Sequence, residues 1–173
     1  MAARTEILVS GRGGQGVVRL GQILGLAAVR QGLAATLLVS HGTETRGGYV
    51  RSQVVIADRF VDSPVVERAD CFCALSQEAY GRFQALARGT LLHEADVVPG
   101  DDPARRRVVV RGAELAAQVG SPRFASAVFL GATARVLEAV LDRERVLEAL
   151  RERLPRSVAE NRRAFELGWA AIS

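Results

Sequence analysis

The sequence contains no lysine, and all 23 of its basic residues are arginine. This absence excludes a Schiff-base lysine, a lysine general base and the lysine of a P-loop. Aromatic residues make up only 5% of the 173 residues, which argues against stacking on single-stranded nucleic acid. We therefore expect no nucleic-acid partner. The net charge of +4 fits an anionic ligand or an acidic partner subunit equally well.

Cysteine and histidine are also scarce. The two cysteines, Cys71 and Cys73, are too few for an iron–sulfur cluster, which needs four ligands. Their spacing within an apolar segment predicts that both lie buried on the same face of a strand. His41 and His93 belong to no cluster with metal-ligand spacing, so no metal site is assigned. His41 could pair with Glu44 as an acid–base pair, but a single histidine in a glycine loop more often serves hydrogen bonding. No catalytic residue is assigned either.

Long apolar runs are absent as well. No stretch approaches the about 18 apolar residues of a membrane span, and the N-terminus lacks the apolar core of a secretory signal. The expected location is the cytoplasm. Apolar residues make up 49% and charged residues 24%, as in ordinary globular proteins, and the length suits one α/β domain.

Apolar segments alternate with turn signals along the first two thirds of the chain. The predicted strands are 5–10, 35–40, 50–58, 71–76, a segment within 89–98, and 107–111. The predicted helices are 15–31, 77–87, 112–119, 123–140, 143–153 and 155–172, with Ser63-Pro64 as a further helix start and Ser76 as an N-cap. We expect an α/β fold in one domain, 1–173, with a mixed, mostly parallel sheet flanked by helices and a helical C-terminal third.

The stretch "VSGRGGQGVV" at 9–18 has the G-x-G-x-x-G pattern of a dinucleotide-binding turn, placed between a strand and a helix. Two further requirements of that fold are unmet. Ser40 and His41 stand where an acid should hold the ribose. The connection to the third strand is too short for a helical crossover, so that strand is predicted to be antiparallel or remote. The fold therefore starts like a Rossmann domain but is not a standard dinucleotide fold. An independent NADP-binding reductase, with Arg46 at the 2′-phosphate, stays open as an alternative.

A second glycine-rich loop, "ETRGGYVRS", follows the second strand. It should therefore lie at the same carboxyl edge of the sheet as the first, where ligands bind in open α/β folds. Arg46 and Arg51 could donate to phosphate or carboxylate groups, and Gln15 and Thr45 could add neutral contacts. Because no clear nucleophile–base pair is present, this edge is interpreted as a docking surface.

The first predicted helix carries a stripe of small residues. Gly21, Gly25, Ala28 and Gly32 recur at intervals of four, three and four. Glycine inside a helix costs roughly 1 kcal/mol relative to alanine, so two such residues indicate close packing against a sheet or a second helix. A face of this kind also predicts a homo-oligomer when the chain is isolated.

Several segments together resemble the gamma subunit, or gamma-type domain, of the 2-oxoacid:ferredoxin oxidoreductases, which include pyruvate, 2-oxoglutarate and 2-ketoisovalerate enzymes. The resemblance is carried by "GRGGQGVVRLGQILGLAA", "SHGTETRGGYVRSQVVIAD", "DSPVVERADCFCALSQEAY", "FASAVFLGA" and "ENRRAFELG". Two positions depart from the common pattern. His41 replaces a frequent tyrosine and is similar to the indolepyruvate-type relatives, and Ser126 replaces a common asparagine. The particular 2-oxoacid is therefore open.

The resemblance implies a complex that oxidises a 2-oxoacid with thiamine diphosphate and magnesium. Such a complex passes the acyl group to coenzyme A and sends electrons through iron–sulfur clusters to ferredoxin. It implies alpha-, beta- and delta-type partner subunits, while this chain is non-catalytic and binds no cofactor alone. The candidate coenzyme A contacts are Gly11, Gly13, Gly14, Gln15, Gly16, Thr45, Arg46, Gly47 and Gly48. A pure assembly scaffold, in which these glycines bind no small molecule, is the other alternative.

Overall fold

The computed structural model describes residues 3–43 and 48–173. Its six strands are β1 (Arg4–Arg12), β2 (Ala34–His41), β3 (Tyr49–Ala57), β4 (Ala69–Ala74), β5 (Ala87–Glu94) and β6 (Arg106–Val110). Its α-helices are α1 (Val17–Arg30), α2 (Gln77–Phe83), α3 (Gly112–Ala117), α4 (Ala125–Val136), α5 (Arg143–Arg153) and α6 (Val158–Ala170). Short 3-10 turns at Gln84–Leu86 and Pro122–Phe124 follow α2 and precede α4. The predicted α/β class and helical C-terminal third are confirmed.

The strands form one sheet in the order β2-β3-β1-β4-β5-β6. β3 runs antiparallel to both of its neighbours, whereas β1, β4, β5 and β6 pair in parallel. The expectation of a mixed, mostly parallel sheet is therefore confirmed. The seven residues between β2 and β3 are too few for a helical crossover, and this forces β3 to turn back antiparallel.

The strand order also separates β2 from β1. Because β3 lies between them, the two strands are about 10 Å apart rather than one strand spacing. In a standard dinucleotide fold the second strand lies beside the first, so that its last residue reaches the ribose. Here His41, at the end of β2, is one strand further away. The prediction that this is not a standard dinucleotide fold is confirmed.

The core lies on both faces of the sheet. Residues of α1, α3, α4, α5 and α6 form one apolar cluster with one face, and α2 covers the other. Cys71 and Cys73 are both fully buried in the first cluster, as their spacing predicted. The thiol of Cys73 lies 3.0 Å from the hydroxyl of Thr133. The hydrogen bond with Cys73 and burial raise the pKa of Cys71, which keeps the Cys71 thiol uncharged within the core.

The small-residue stripe of α1 has two roles rather than one. A Cβ atom on Gly21 would lie 2.8 Å from the Leu37 Cδ1 and the Ser52 Cβ, so this glycine lets α1 lie close against the sheet as predicted. A Cβ atom on Gly25 would contact nothing within 4 Å. Gly25 instead lines an open groove beside β2.

One predicted helix is wrong. Ser63-Pro64 begins no helix, and the described segment 59–68 is a loop. The backbone groups of this loop bond to β1 instead of to each other. The carboxylate of Glu6 accepts the N–H groups of the last two residues of the loop at 2.7 and 2.8 Å, and the guanidinium of Arg4 donates to two of its carbonyl oxygens. By contrast, the predicted N-cap is confirmed, because the hydroxyl of Ser76 accepts the N–H of Ala79.

Candidate ligand-binding edge

The two glycine-rich segments meet at the carboxyl edge of the sheet. Arg12, the last residue of β1, pairs with Tyr49, the first residue of β3, and Gly11 pairs with Val50. The loop after β1 therefore lies beside the segment that leads into β3, as the sequence predicted. Gly48, a predicted contact, immediately precedes Tyr49 and is half-buried.

The loop at 13–16 has a backbone that suits glycine. Gly14 and Gly16 have φ angles of 87° and 82°, in the left-handed region where glycine avoids strain. A Cβ atom on Gly16 would lie 2.7 Å from the Cβ of Ser126, so this glycine lets the start of α1 pack against α4. Around Gly13 and Gly14 a Cβ atom would meet nothing within 4 Å. These two glycines therefore leave the backbone open to an approaching group.

Three of the four N–H groups of this open loop lack partners in the described part of the chain, whereas the N–H of Gln15 donates to the Arg12 carbonyl at 3.3 Å. Within residues 3–43 and 48–173, the N–H groups of Gly13, Gly14 and Gly16 donate no hydrogen bond. They lie at the N-terminus of the 14-residue helix α1, whose first turn holds no acidic residue. Free N–H groups and the positive end of a helix dipole together favour an anion.

Gln15 and Gly11 hold the loop in shape. The Gln15 carboxamide accepts the N–H of Arg12 at 2.6 Å and donates to the Leu75 carbonyl at 2.9 Å. A Cβ atom on Gly11 would lie 2.5 Å from the Gln15 Oε1, so glycine is needed there to admit this bridge. The Gln15 side chain thus bonds within the protein and fills the space beside Gly11. The contact of either residue with a ligand stays a prediction.

The second loop is only partly described. Thr45, Arg46 and Gly47, together with Glu44, lie outside the described residues. Arg51, the other predicted phosphate donor, lies on the α2 face of the sheet. Its Nε donates to the Ser40 hydroxyl at 3.1 Å, and its guanidinium stacks over Phe83 at 4.8 Å from the ring centre. This arrangement holds Arg51 away from the face on which α1 packs.

Two arginines that the sequence reasoning did not single out flank the glycine loop. A cavity of about 320 Å³ is lined by the loop, Arg12, Arg19 and His41. Arg12 and Arg19 are exposed, and neither has a carboxylate partner among the described residues. Arg19 follows Gly16 by three residues, which places it in the first turn of α1. This spacing could have identified Arg19 from the sequence as a residue beside the glycine loop.

A second cavity, of about 400 Å³, opens on the other side of the loop toward the end of β5. Two acidic residues, Glu94 and Asp96, line it. The carboxylate of Glu94 is bonded to the start of α3, since it accepts the N–H groups of Gly112 and Ala113 at 3.1 and 3.2 Å. Arg123 and Ser126 line the same cavity. The departure at Ser126 from the common asparagine thus falls directly beside the loop.

Within the part of the chain that the structure describes, no three His, Cys, Asp or Glu side chains are grouped to hold a metal ion. Among the same residues, no helix is both long and apolar enough to cross a membrane.

The fold and this edge define an α/β domain with a solvent-open glycine turn at the carboxyl ends of its parallel strands. The chain belongs to the pyruvate ferredoxin/flavodoxin oxidoreductase family, which it matches over residues 6–171. The resemblance seen in the sequence is therefore confirmed.

Relatives of known name cover nearly the whole chain. It is 33% identical to the 2-oxoglutarate synthase subunit KorC of Methanocaldococcus jannaschii, over 96% of this chain and 92% of that protein. It also resembles the solved gamma subunit of a keto/oxoacid ferredoxin oxidoreductase from Geobacter sulfurreducens, with a TM-score of 0.84 and 32% identity over 96% of this chain and 97% of that one.

A third likeness places the same fold inside a larger polypeptide. One chain of the 2-oxoglutarate:ferredoxin oxidoreductase from Magnetococcus marinus, solved with 2-oxoglutarate, coenzyme A and succinyl-CoA bound, matches with a TM-score of 0.86. The match covers 97% of this chain and 31% of that chain at 24% identity. At this identity the likeness shows the fold alone.

Proposed function

We propose that this chain is the gamma subunit of a multi-subunit 2-oxoacid:ferredoxin oxidoreductase. The observation that carries the proposal is the end-to-end likeness, in sequence and in fold, to a gamma subunit of such an enzyme and to subunits of 2-oxoglutarate synthases. The enzyme oxidises a 2-oxoacid, forms the acyl-coenzyme A and passes electrons to ferredoxin. Alpha-, beta- and delta-type subunits are its expected partners.

The chain serves binding and orientation rather than bond making. Around the glycine edge, the side chain of His41 has no hydrogen-bond partner within the described residues, and the Glu94 carboxylate accepts three backbone N–H groups. No nucleophile–base pair is therefore assembled in this part of the described chain. Thiamine diphosphate, magnesium and the iron–sulfur clusters would be carried by the other subunits.

Coenzyme A is the ligand that this edge fits best. It is a polyanion, and the loop offers free N–H groups at a helix start, with Arg12 and Arg19 lining the same cavity. The space beside Gly13 and Gly14 admits a close approach to the backbone. We place its pyrophosphate at this loop and keep Thr45, Arg46, Gly47 and Gly48 as further proposed contacts.

Gly13→Ala in the assembled enzyme tests this placement. The added methyl group enters open space, so folding should be unaffected while the approach to the loop is blocked. Calorimetry should show at least about tenfold weaker coenzyme A binding, with an unchanged unfolding midpoint. Gly81→Ala in α2, where a Cβ atom is equally free, is the matched control. Unchanged affinity in Gly13→Ala would leave the chain an assembly scaffold.

Activity tests the subunit assignment separately. The isolated chain should show no 2-oxoacid-dependent reduction of ferredoxin, and mixing it with the partner subunits should restore full turnover. Turnover by the purified chain alone would overturn the assignment. Micromolar binding of NADPH to the isolated chain, lost on Arg46→Ala, would instead favour an independent reductase.

A further inference from the structure

Four arginines from distant parts of the sequence line one cavity. Its volume is about 350 Å³, and its arginines come from α1, the turn before α4, the end of α5 and the turn into α6. They are Arg19, Arg123, Arg153 and Arg156. The remaining lining residues are uncharged, including the hydroxyls of Ser126 and Ser157. We call this space the arginine cavity.

The charge of the arginine cavity is not neutralised from within. None of its four guanidinium groups lies within 4.0 Å of a carboxylate in the described part of the chain. Elsewhere ion pairs are common, as for Arg4, Arg107 and Arg143. A neighbouring cavity between α5 and α6 has balanced charges, with two glutamates and two arginines. The arginine cavity therefore gathers four positive charges and no negative one.

Helix chemistry explains only part of this cluster. Arg153 lies in the last turn of α5, where a cation interacts favourably with the helix dipole. Arg19 lies instead in the first turn of α1, the position that a cation gains least from. Like charges that line one cavity repel each other. A counter-charge in the cavity would remove that cost.

The backbone is unusual at the same place. Ser157 is the only described non-glycine residue with a positive φ angle, 55°. Its hydroxyl makes no capping bond to α6 and instead accepts a bond from Arg123 at 3.1 Å. The turn is thus held in a costly conformation that directs Ser157 toward the guanidinium group rather than toward its own helix. Such local strain is often found at ligand sites.

We propose that the arginine cavity binds a phosphomonoester dianion. Guanidinium groups pair with phosphate oxygens through two parallel hydrogen bonds, and the two hydroxyls can donate to the remaining oxygens. Arg19 lines both this cavity and the one at the glycine loop. Its Cα is about 4.5 Å along the helix axis from Gly16, so one ligand with two separated phosphate groups can occupy both.

Coenzyme A carries such a pair, a pyrophosphate and a 3′-phosphate. The assignment of the phosphomonoester to coenzyme A rests on the proposed function. The binding of inorganic phosphate to the isolated chain does not depend on that function. The two sources share one chemistry and are separated by the experiment below.

The first arm uses inorganic phosphate and the full-length chain at fixed ionic strength. Calorimetry compares the wild type with Arg123→Gln/Arg156→Gln, for which binding should weaken at least about tenfold. The matched control is Arg59→Gln/Arg163→Gln, which removes two exposed arginines that lie outside the arginine cavity and should leave the affinity unchanged. Because Arg123 also bonds to Ser157, Arg19→Gln is the second test variant. It breaks no hydrogen bond of the described residues and should weaken phosphate binding as well.

The second arm compares coenzyme A with dephospho-coenzyme A on the assembled enzyme. If coenzyme A is the source, the wild type prefers it over the dephospho form by about tenfold or more, and Arg123→Gln/Arg156→Gln binds both equally. Gly13→Ala should weaken the binding of coenzyme A and of dephospho-coenzyme A to the same extent. A wrong placement of the pyrophosphate can therefore be distinguished from a wrong assignment of the arginine cavity. If inorganic phosphate binds the arginine cavity but the enzyme does not prefer coenzyme A over the dephospho form, the natural ligand of the cavity is free phosphate.

Two results would overturn the inference. One is phosphate binding that is as strong in both arginine variants as in the wild type. The other is loss of subunit assembly in Arg123→Gln/Arg156→Gln with phosphate binding unchanged, which would assign the cluster to an acidic surface of a partner subunit.

Discussion

The side-chain amide of Gln15 donates to the carbonyl oxygen of Leu75 over 2.9 Å. This bond ties the loop that follows β1 to the residue that follows β4. The Gln15 side-chain carbonyl also accepts the N–H of Arg12. One side chain therefore closes the turn and attaches it to the end of β4. The shape of the candidate site therefore depends on a residue whose side chain faces the protein.

Gln15→Ala should lower the free energy of unfolding by about 1–3 kcal/mol, since two hydrogen bonds are lost and a half-buried carbonyl is left without its partner. Urea unfolding followed by circular dichroism measures the change. Gln118→Ala is the control, because that exposed side chain makes no hydrogen bond in the described structure. Equal stability of both variants would contradict the anchoring role.

The crossing of α4 and α6 depends on glycine. A Cβ atom on Gly168 would lie 1.8 Å from the carbonyl oxygen of Val128, and one on Gly131 would lie 2.0 Å from that of Phe165. Gly168→Ala should therefore destabilise the fold by about 3 kcal/mol or more, because the backbone cannot yield as a side chain can.

The control for this substitution is Gly25→Ala in α1. Its Cβ would enter open space, so the better helix propensity of alanine should raise stability by about 0.5–1 kcal/mol. Thermal unfolding should therefore shift the midpoint downward for Gly168→Ala and upward for Gly25→Ala. A loss of less than about 1 kcal/mol for Gly168→Ala would contradict the role of this glycine in the close crossing of α4 and α6.

Acid stability should depend on Asp102. Burial opposes its ionisation, but hydrogen bonds from Arg107 and Tyr80 outweigh it and lower the pKa of this carboxyl below 3.8. The carboxylate therefore contributes stability that is fully present above the unfolded-state pKa and is lost as pH falls through the lower, folded-state value. Asp102→Asn should be less stable at pH 7 and should show a flatter loss of stability between about pH 4 and pH 2.

Urea titrations at several pH values measure this dependence. Asp96→Asn, an exposed residue without a hydrogen bond in the described chain, should keep the wild-type curve. If Asp102→Asn and Asp96→Asn show the same dependence of stability on pH, the hydrogen bonds around Asp102 do not contribute to acid stability.

The isolated chain should self-associate through the groove beside β2. That strand is at the edge of the sheet, and Val29, Leu37 and Leu38 around it are 55%, 36% and 37% exposed. An unpaired edge with exposed apolar side chains favours pairing with a second copy when the natural partners are absent. Light scattering should give a dimer or larger for the wild type and a monomer for Val29→Asp. Val98→Asp, at a valine that is more exposed than Val29 and lies outside the groove, should leave the oligomer intact.

Local signals predicted much of the fold. The alternation of apolar residues predicted all six strands and the main helices, and the helix at 143–153 was predicted with its observed bounds. The short connection after β2 predicted that β3 would not run parallel to β1. Prediction failed at Ser63-Pro64, where a local capping pattern lost to long-range bonds from Arg4 and Glu6. No local pattern reports such competition.

The candidate site divides in the same way. The glycine turn at 13–16 was determined by sequence alone, because positive φ angles, an open backbone and a helix start are properties of neighbouring residues. Only the tertiary structure decided that Gln15 faces the protein. It also decided that Arg19, Arg123, Arg153 and Arg156 share one cavity. More than 100 residues separate the first of these from the others, and the strand order and helix packing that bring them together arise from the whole core.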